Sequence, residues 1–210
     1  MSAALIPDAA FLRLLEHPRP GTELRRLLAA GQGPRLPFLK EACRIPAGPL
    51  PWHSGSVLDH LCRCMDAVAG DGLAVWMALA HDAGKLTTPR ALWPHHYGHE
   101  ERGETLVRQW AARLHLPADW RQAACVTARL HMKAGRYLHL RPATRYDLLH
   151  ELAACPFGPA FWRVVDADTR SCLSRRVRDD WARITTLPVE GRSPEQQRQQ
   201  AIQCLRMTQD

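Results

Sequence analysis

What this chain has little of already narrows its chemistry. Its only lysines are Lys40, Lys85 and Lys133, so arginine carries nearly all of its positive charge. The seven cysteines, at 43, 62, 64, 125, 155, 172 and 204, are odd in number and scattered, with no Cys-x-x-Cys. That spacing argues against both a disulfide framework and a thiolate zinc site, and it points to a reducing, cytoplasmic compartment. No stretch approaches the ~18 apolar residues of a membrane span. The N-terminus lacks the basic start and long apolar run of a signal peptide. There is no glycine-rich phosphate loop, no internal repeat and no heptad run. Ser54-Gly55-Ser56 is not a nucleophile elbow, because no strand pattern precedes it and no Gly-x-Ser-x-Gly appears.

What is present suits a helical globular protein. The 210 residues are 46% hydrophobic, enough for one domain with a real core. The net charge of +7 has two readings, an arginine-rich genome bias or an anionic partner such as nucleic acid or nucleotide phosphate. No segment alternates with period two. Apolar spacing with proline and glycine punctuation predicts helices after Pro7-Asp8, over 22–30, from Ser54 or Ser56 until the break at Gly70-Asp71-Gly72, and over 73–81. Further helices are predicted at about 99–114, 118–132, 143–155, 158–177 and 194–207, with loops over 44–53, 86–98 and 188–194. The run Leu73 to Ala80 is almost wholly apolar and predicts a central buried helix, stopped at Gly84.

At the end of that helix stands His81-Asp82, followed by Ala-Gly-Lys85. A buried carboxylate is costly unless it is paired or bound to metal. Around this pair the sequence offers His53 upstream and His95, His96, His99, His131 and Asp168 downstream. Imidazoles and carboxylates from several separate segments can hold one or two divalent ions with open positions for water and substrate. Lys85 is expected at the rim of the site, as a cation for a phosphate oxygen. Gly103 lies one helical turn after His99 on the same face, where a side chain's absence lets another segment approach. His95 and His96 read as substrate contacts or as plain loop histidines. Asp168, among Phe161, Trp162, Val164 and Val165, is expected to face inward. A single helix over 158–177 would place Arg175 and Arg176 about two turns from Asp168, suited to backbone phosphates. Trp162 and Trp181 with these arginines form either a stacking surface for RNA or part of a core.

The segments Leu79-Ala80-His81-Asp82-Ala83-Gly84-Lys85-Leu86-Thr87-Thr88-Pro89, Leu92-Trp93-Pro94-His95-His96-Tyr97-Gly98-His99-Glu100-Glu101-Arg102-Gly103, Leu140-Arg141-Pro142-Ala143-Thr144 and Asp166-Ala167-Asp168-Thr169-Arg170 resemble the HD superfamily of metal-dependent phosphohydrolases. They are most similar to the C-terminal HD domain of bacterial CCA-adding tRNA nucleotidyltransferases. The resemblance runs from about residue 50 to 176. No nucleotidyltransferase domain is found upstream, so CCA addition is not expected.

The resemblance implies an all-α helical bundle with His53, His81, Asp82 and Asp168 as the core metal set. Relatives with two metals add histidines at places like His99 and His131. It implies a hydrolase of phosphate esters of nucleotides or RNA ends, of the 2′,3′-cyclic phosphodiesterase or phosphatase type. Lys85 and Asp82 are its expected catalytic residues. Lys85, His96, Arg170, Arg175 and Arg176 are the expected substrate contacts. The alternatives are a nucleotide or dinucleoside-polyphosphate hydrolase and a non-catalytic RNA-binding module. The expected cofactor is one or two divalent ions. The ligand set suits Mn, Fe, Co, Ni or Zn, and Mg less well. The expected organisation is one domain over 1–210, with a helical lead-in over 1–50, a metal-binding core over 51–188 and a C-terminal helix over 189–210.

Overall fold

Every regular element of the structure, a computed structural model that describes residues 8–51 and 54–207, is helical. Extended backbone pairs among the described residues only as an isolated antiparallel bridge between Pro46 and Ser56. The all-α class expected from the missing period-two patterns is therefore the class observed. The chain divides into two compact units, Met1–His131 and Met132–Asp210.

The first unit contains α1 (Ala9–Leu15), α2 (Pro20–Ala29), α3 (Val57–Ala67), α4 (Gly72–Ala80), α5 (His99–Arg113) and α6 (Ala118–Gly135) as far as His131. Its centre is α4. Seven of the nine α4 residues are buried, so the helix has no polar face to turn outward. Trp76 meets the Phe11 ring edge-on at 5.7 Å and donates its indole N–H to the Trp120 carbonyl at 3.1 Å. Burying Val75, Trp76, Met77 and Leu79 contributes roughly 1.5–3 kcal/mol each. Asp71 caps the helix by accepting the Ala74 N–H.

α3 lies against α4 and begins with a capping box. The Ser56 hydroxyl accepts the Asp59 N–H at 3.2 Å, and the Asp59 carboxylate accepts the Ser56 N–H at 2.9 Å. Its buried face carries Val57, Leu58, Leu61 and Met65, and also His60 and Cys64. Hydrogen bonds from the Ser56 backbone, the Ser56 hydroxyl and Arg25 pull the Asp59 carboxyl down to about 2. A carboxyl depressed in the folded state stabilises the fold above its ordinary value of 3.8, and that stability is lost as pH falls through about 2. Because Asp59 is half exposed, the gain is at most about 1 kcal/mol. We expect Asp59→Asn to flatten the fall in melting temperature over this acid window. An equally steep fall in the variant would assign the acid sensitivity to other carboxylates.

The turn after α4 and the start of α5 cross at two glycines. A Cβ on Gly84 would sit 1.8 Å from the His99 carbonyl oxygen, and one on Gly103 would sit 3.2 Å from the Gly84 nitrogen. The crossing requires glycine at 84 and is tight at 103, and it brings the first turn of α5 onto the His81-Asp82 corner. The loop between them is tied down by Arg102, which donates to the Thr87 and Thr88 hydroxyls and the Tyr97 carbonyl.

The second unit contains α7 (Pro142–Ala153), α8 (Gly158–Thr169), α9 (Leu173–Thr185) and α10 (Pro194–Arg206). Its core holds a polar network. The Arg145 guanidinium and the Tyr137 hydroxyl both donate to one oxygen of Asp180, the latter at 2.7 Å. Arg176 donates to the other oxygen at 3.1 Å. The expected single helix over 158–177 is not formed. α8 ends at Thr169, Arg170 adopts a left-handed conformation with φ 53°, the Asp166 carbonyl accepts the Ser171 N–H to close α8, and the Asp166 carboxylate accepts the Ser174 N–H in the first turn of the next helix. No proline or glycine marks this break, so the sequence pattern ran through it.

Candidate metal centre

Asp82 closes the corner between α4 and α5, and its carboxylate is buried. His99 at the start of α5 and His131 near the end of α6 each place Nε2 3.3 Å from Asp82 Oδ1. Their two Nε2 atoms are also 3.3 Å apart. His81 and His60 place Nε2 3.5 Å and 3.2 Å from Asp82 Oδ2, and 3.0 Å from each other. Donors bonded at about 2.1 Å to one ion lie roughly 3.0–3.4 Å apart, so each set has the spacing of neighbouring ligands.

Three of the four imidazoles have their tautomer fixed by partners that can only accept. His81 Nδ1 donates to the Ala78 carbonyl at 2.7 Å, and His99 Nδ1 to the His96 carbonyl at 2.9 Å. His131 Nδ1 donates to the Thr127 and Ala128 carbonyls at 3.2 and 3.0 Å. Each of these rings turns Nε2 toward the buried carboxylate, and in the metal-binding neutral form that nitrogen presents a lone pair. Such an arrangement of acceptors is repulsive without a cation, and Asp82 Oδ1 is buried with no hydrogen-bond partner. The backbone carbonyls supply the outer hydrogen bonds that orient metal-binding histidines. The residues present thus fit a divalent ion.

His60 differs from the other three. The Arg63 guanidinium lies 3.0 Å from its Nδ1 and can only donate, so in this arrangement the His60 proton sits on Nε2. Capture of a metal by His60 Nε2 as a neutral imidazole would require that proton to move to Nδ1, with Arg63 turning aside.

Lys85 lies beneath the carboxylate. Its ammonium contacts Asp82 Oδ2 at 2.7 Å and donates to the Ala47 carbonyl at 2.9 Å, and the residue is only 4% exposed. Burial pushes the Asp82 carboxyl up. The Lys85 charge outweighs it and holds the carboxyl well below the usual range. The sequence expectation of Lys85 at the rim is corrected. The turn Ala83–Thr87 rolls its side chain inward, where both its contacts are internal.

His96 is corrected in the same way. Its Nδ1 accepts from the Thr88 hydroxyl at 2.9 Å and its Nε2 donates to the Pro46 carbonyl at 2.8 Å, so neither nitrogen is left for a substrate. Its work is to pin the 46–47 segment that receives Lys85. Arg176, an expected substrate contact, donates through Nε to Asp180 and keeps 32% of its side chain exposed. Arg170 and Arg175 are exposed, and the helix break puts Arg175 and Arg176 on α9, off the helix that carries Asp168. Asp168 is half-buried on α8 in the second unit. His53 lies outside the described residues.

His60 is the functional residue that sequence reasoning missed. The signal was available, because His60 falls on the apolar stripe Val57, Leu61, Cys64, Met65 of an amphipathic helix. We expect His60→Ala to lower the metal content of the purified chain, and His53→Ala, assayed beside it, tests the ligand that the resemblance implies. Metal content unchanged in His60→Ala, read by elemental analysis, would remove His60 from the ligand set.

Comparison with known proteins agrees with this geometry. The HD domain family matches residues 53–157, half of the chain. Among curated relatives, the Multifunctional CCA protein of Legionella pneumophila (strain Lens) is 38% identical over 113 residues, 52% of this chain and 28% of the relative. The Multifunctional CCA protein of Xylella fastidiosa (strain M12) is 44% identical over 85 residues, 40% of this chain and 20% of the relative. That of Chromobacterium violaceum is 41% identical over 121 residues, 55% of this chain and 30% of the relative. The chain thus matches less than a third of the length of these relatives. No solved structure gives a significant match. No helix among the described residues is long and apolar enough to cross a membrane. The convergent histidines around a buried His-Asp corner, together with the family match across half the sequence, place this chain in the HD-domain family of metal-dependent phosphohydrolases.

Proposed function

We propose that the chain hydrolyses phosphate esters of nucleotides or RNA ends, with 2′,3′-cyclic phosphates as the favoured class. The observation that carries the reading is the buried Asp82 carboxylate, ringed by the Nε2 atoms of His60, His81, His99 and His131. Asp82 would hold metal through both oxygens, one toward each histidine pair, which allows one or two ions. Bound metal supplies a Lewis acid for the phosphoryl oxygen and an acidified water as nucleophile.

The remaining steps belong to the chain. The carbonyl-bound Nδ1–H groups keep the imidazoles aimed before any substrate arrives, so little reorganisation is needed. Lys85 acts as a positioning residue that keeps Asp82 ionised. On the family resemblance, Asp168 is a further carboxylate ligand, tested by the metal content of Asp168→Ala. The names of the relatives and the net charge of +7 support an RNA or nucleotide substrate, with exposed Arg170 and Arg175 as candidate phosphate contacts.

The test is a screen of nucleoside 2′-, 3′-, 5′- and 2′,3′-cyclic phosphates against Mn, Fe, Co, Ni, Zn and Mg. Turnover of a cyclic or terminal phosphate with a transition ion is expected. A chain that binds these ions and hydrolyses none of the esters would remove the proposal.

A further inference from the structure

We propose that Cys64 is a sulfur ligand of this centre, on the His60–His81 side. The inference rests on the metal-centre reading above and specifies the chemistry of one half of it. Cys64 follows His60 by four residues on α3, so the two share a face. It is fully buried, and its Sγ lies 3.9 Å from His60 Nε2. The donor atoms of His60, Cys64 and His81 all lie within 4.8 Å of one another. A sulfur at about 2.3 Å and a nitrogen at about 2.1 Å from one ion, at tetrahedral to trigonal angles, lie roughly 3.6–3.8 Å apart. The observed separation needs only a small adjustment. The other five cysteines outside this helix are remote in sequence, and Cys62, two residues away on α3, packs where α2 crosses at Gly21.

The chemistry follows from the donor type. The thiolate is the metal-binding form, so as the S–metal bond forms the S–H bond breaks and its proton passes to the buffer. One soft sulfur beside two imidazoles and a carboxylate favours Zn, Co or Fe(II) over Mg and Mn. The Asp82–His99–His131 set carries no sulfur and keeps the harder preference. The two halves would therefore differ in ion selectivity.

Cobalt loading of the full chain tests this without reference to turnover. The wild type is expected to show a near-ultraviolet sulfur-to-cobalt charge-transfer band. Cys64→Ser and Cys64→Ala should lose the band while retaining cobalt at the other histidine pair, and their zinc affinity should weaken about tenfold or more. Cys62→Ala should keep the band. Using two substitutions, with helicity checked for each, separates loss of a ligand from loss of fold. Cobalt bound without the band, or a band that survives in Cys64→Ala, would overturn the Cys64 assignment and leave the metal centre standing. A wild-type chain that binds no cobalt would overturn both.

Discussion

Asp82→Asn is expected to abolish turnover. The substitution keeps the size of the side chain and removes the charge that both histidine pairs share. Metal catalysis supplies several kcal/mol of transition-state stabilisation, and each ~1.4 kcal/mol is a factor of ten, so a loss of roughly a thousandfold or more in kcat/KM is expected. Metal content should fall with it, because His99 and His131 would retain only a neutral amide beside them. The apo fold should also weaken, since the Lys85 ammonium would keep only neutral partners in a buried position. An Asp82→Asn chain with wild-type metal content and turnover would show that the cluster is a structural polar core.

Lys85→Met is expected to give the largest change in stability. It removes the cation that lies 2.7 Å from a buried carboxylate while keeping a side chain of similar length. Leaving one partner of a buried ion pair uncompensated costs about 3–5 kcal/mol. For a chain of this size that lowers the melting temperature of the metal-free protein by roughly 10 °C. Added metal should recover more of that loss in Lys85→Met than it adds to the wild type, because the ion replaces the missing positive charge. Turnover per bound metal should stay close to the wild type. A variant with normal stability and metal content but reduced turnover would return Lys85 to the substrate, the role its sequence position suggested.

The Lys85 outcome shows where sequence reading stops. His81, Asp82 and His99 are legible because they sit at helix ends and because Gly84 and Gly103 announce a close crossing, and His131 is legible as a histidine one turn inside the end of α6. Position in the chain gave the residue types but not the direction of a side chain in a five-residue turn. Lys85, expected at the rim, and His96, a substrate contact or plain loop histidine by sequence, both lie inward, since the acceptors that hold them, Ala47 and Pro46, come from a distant segment. His60 carries no motif of its own in the sequence, because a histidine on an apolar stripe reads as core. Here it belongs to the core and also faces the carboxylate. The break at Arg170 had no glycine or proline to mark it; it depends on a left-handed arginine and on the Asp166 side chain, neither of which has a periodicity. The helical class, the central position of α4 and the capping of α3 all followed from local pattern and were observed.

The most direct test is hydrolysis by the same chain before and after removal of metal. The protein is stripped with a chelator, assayed on a nucleoside 2′,3′-cyclic phosphate, reloaded with a transition ion and assayed again beside Asp82→Asn. No hydrolysis by the stripped chain, recovery on reloading and none with Asp82→Asn is the expected result. Full activity of the stripped chain, or recovery in Asp82→Asn, would contradict a metal-dependent reaction centred on Asp82.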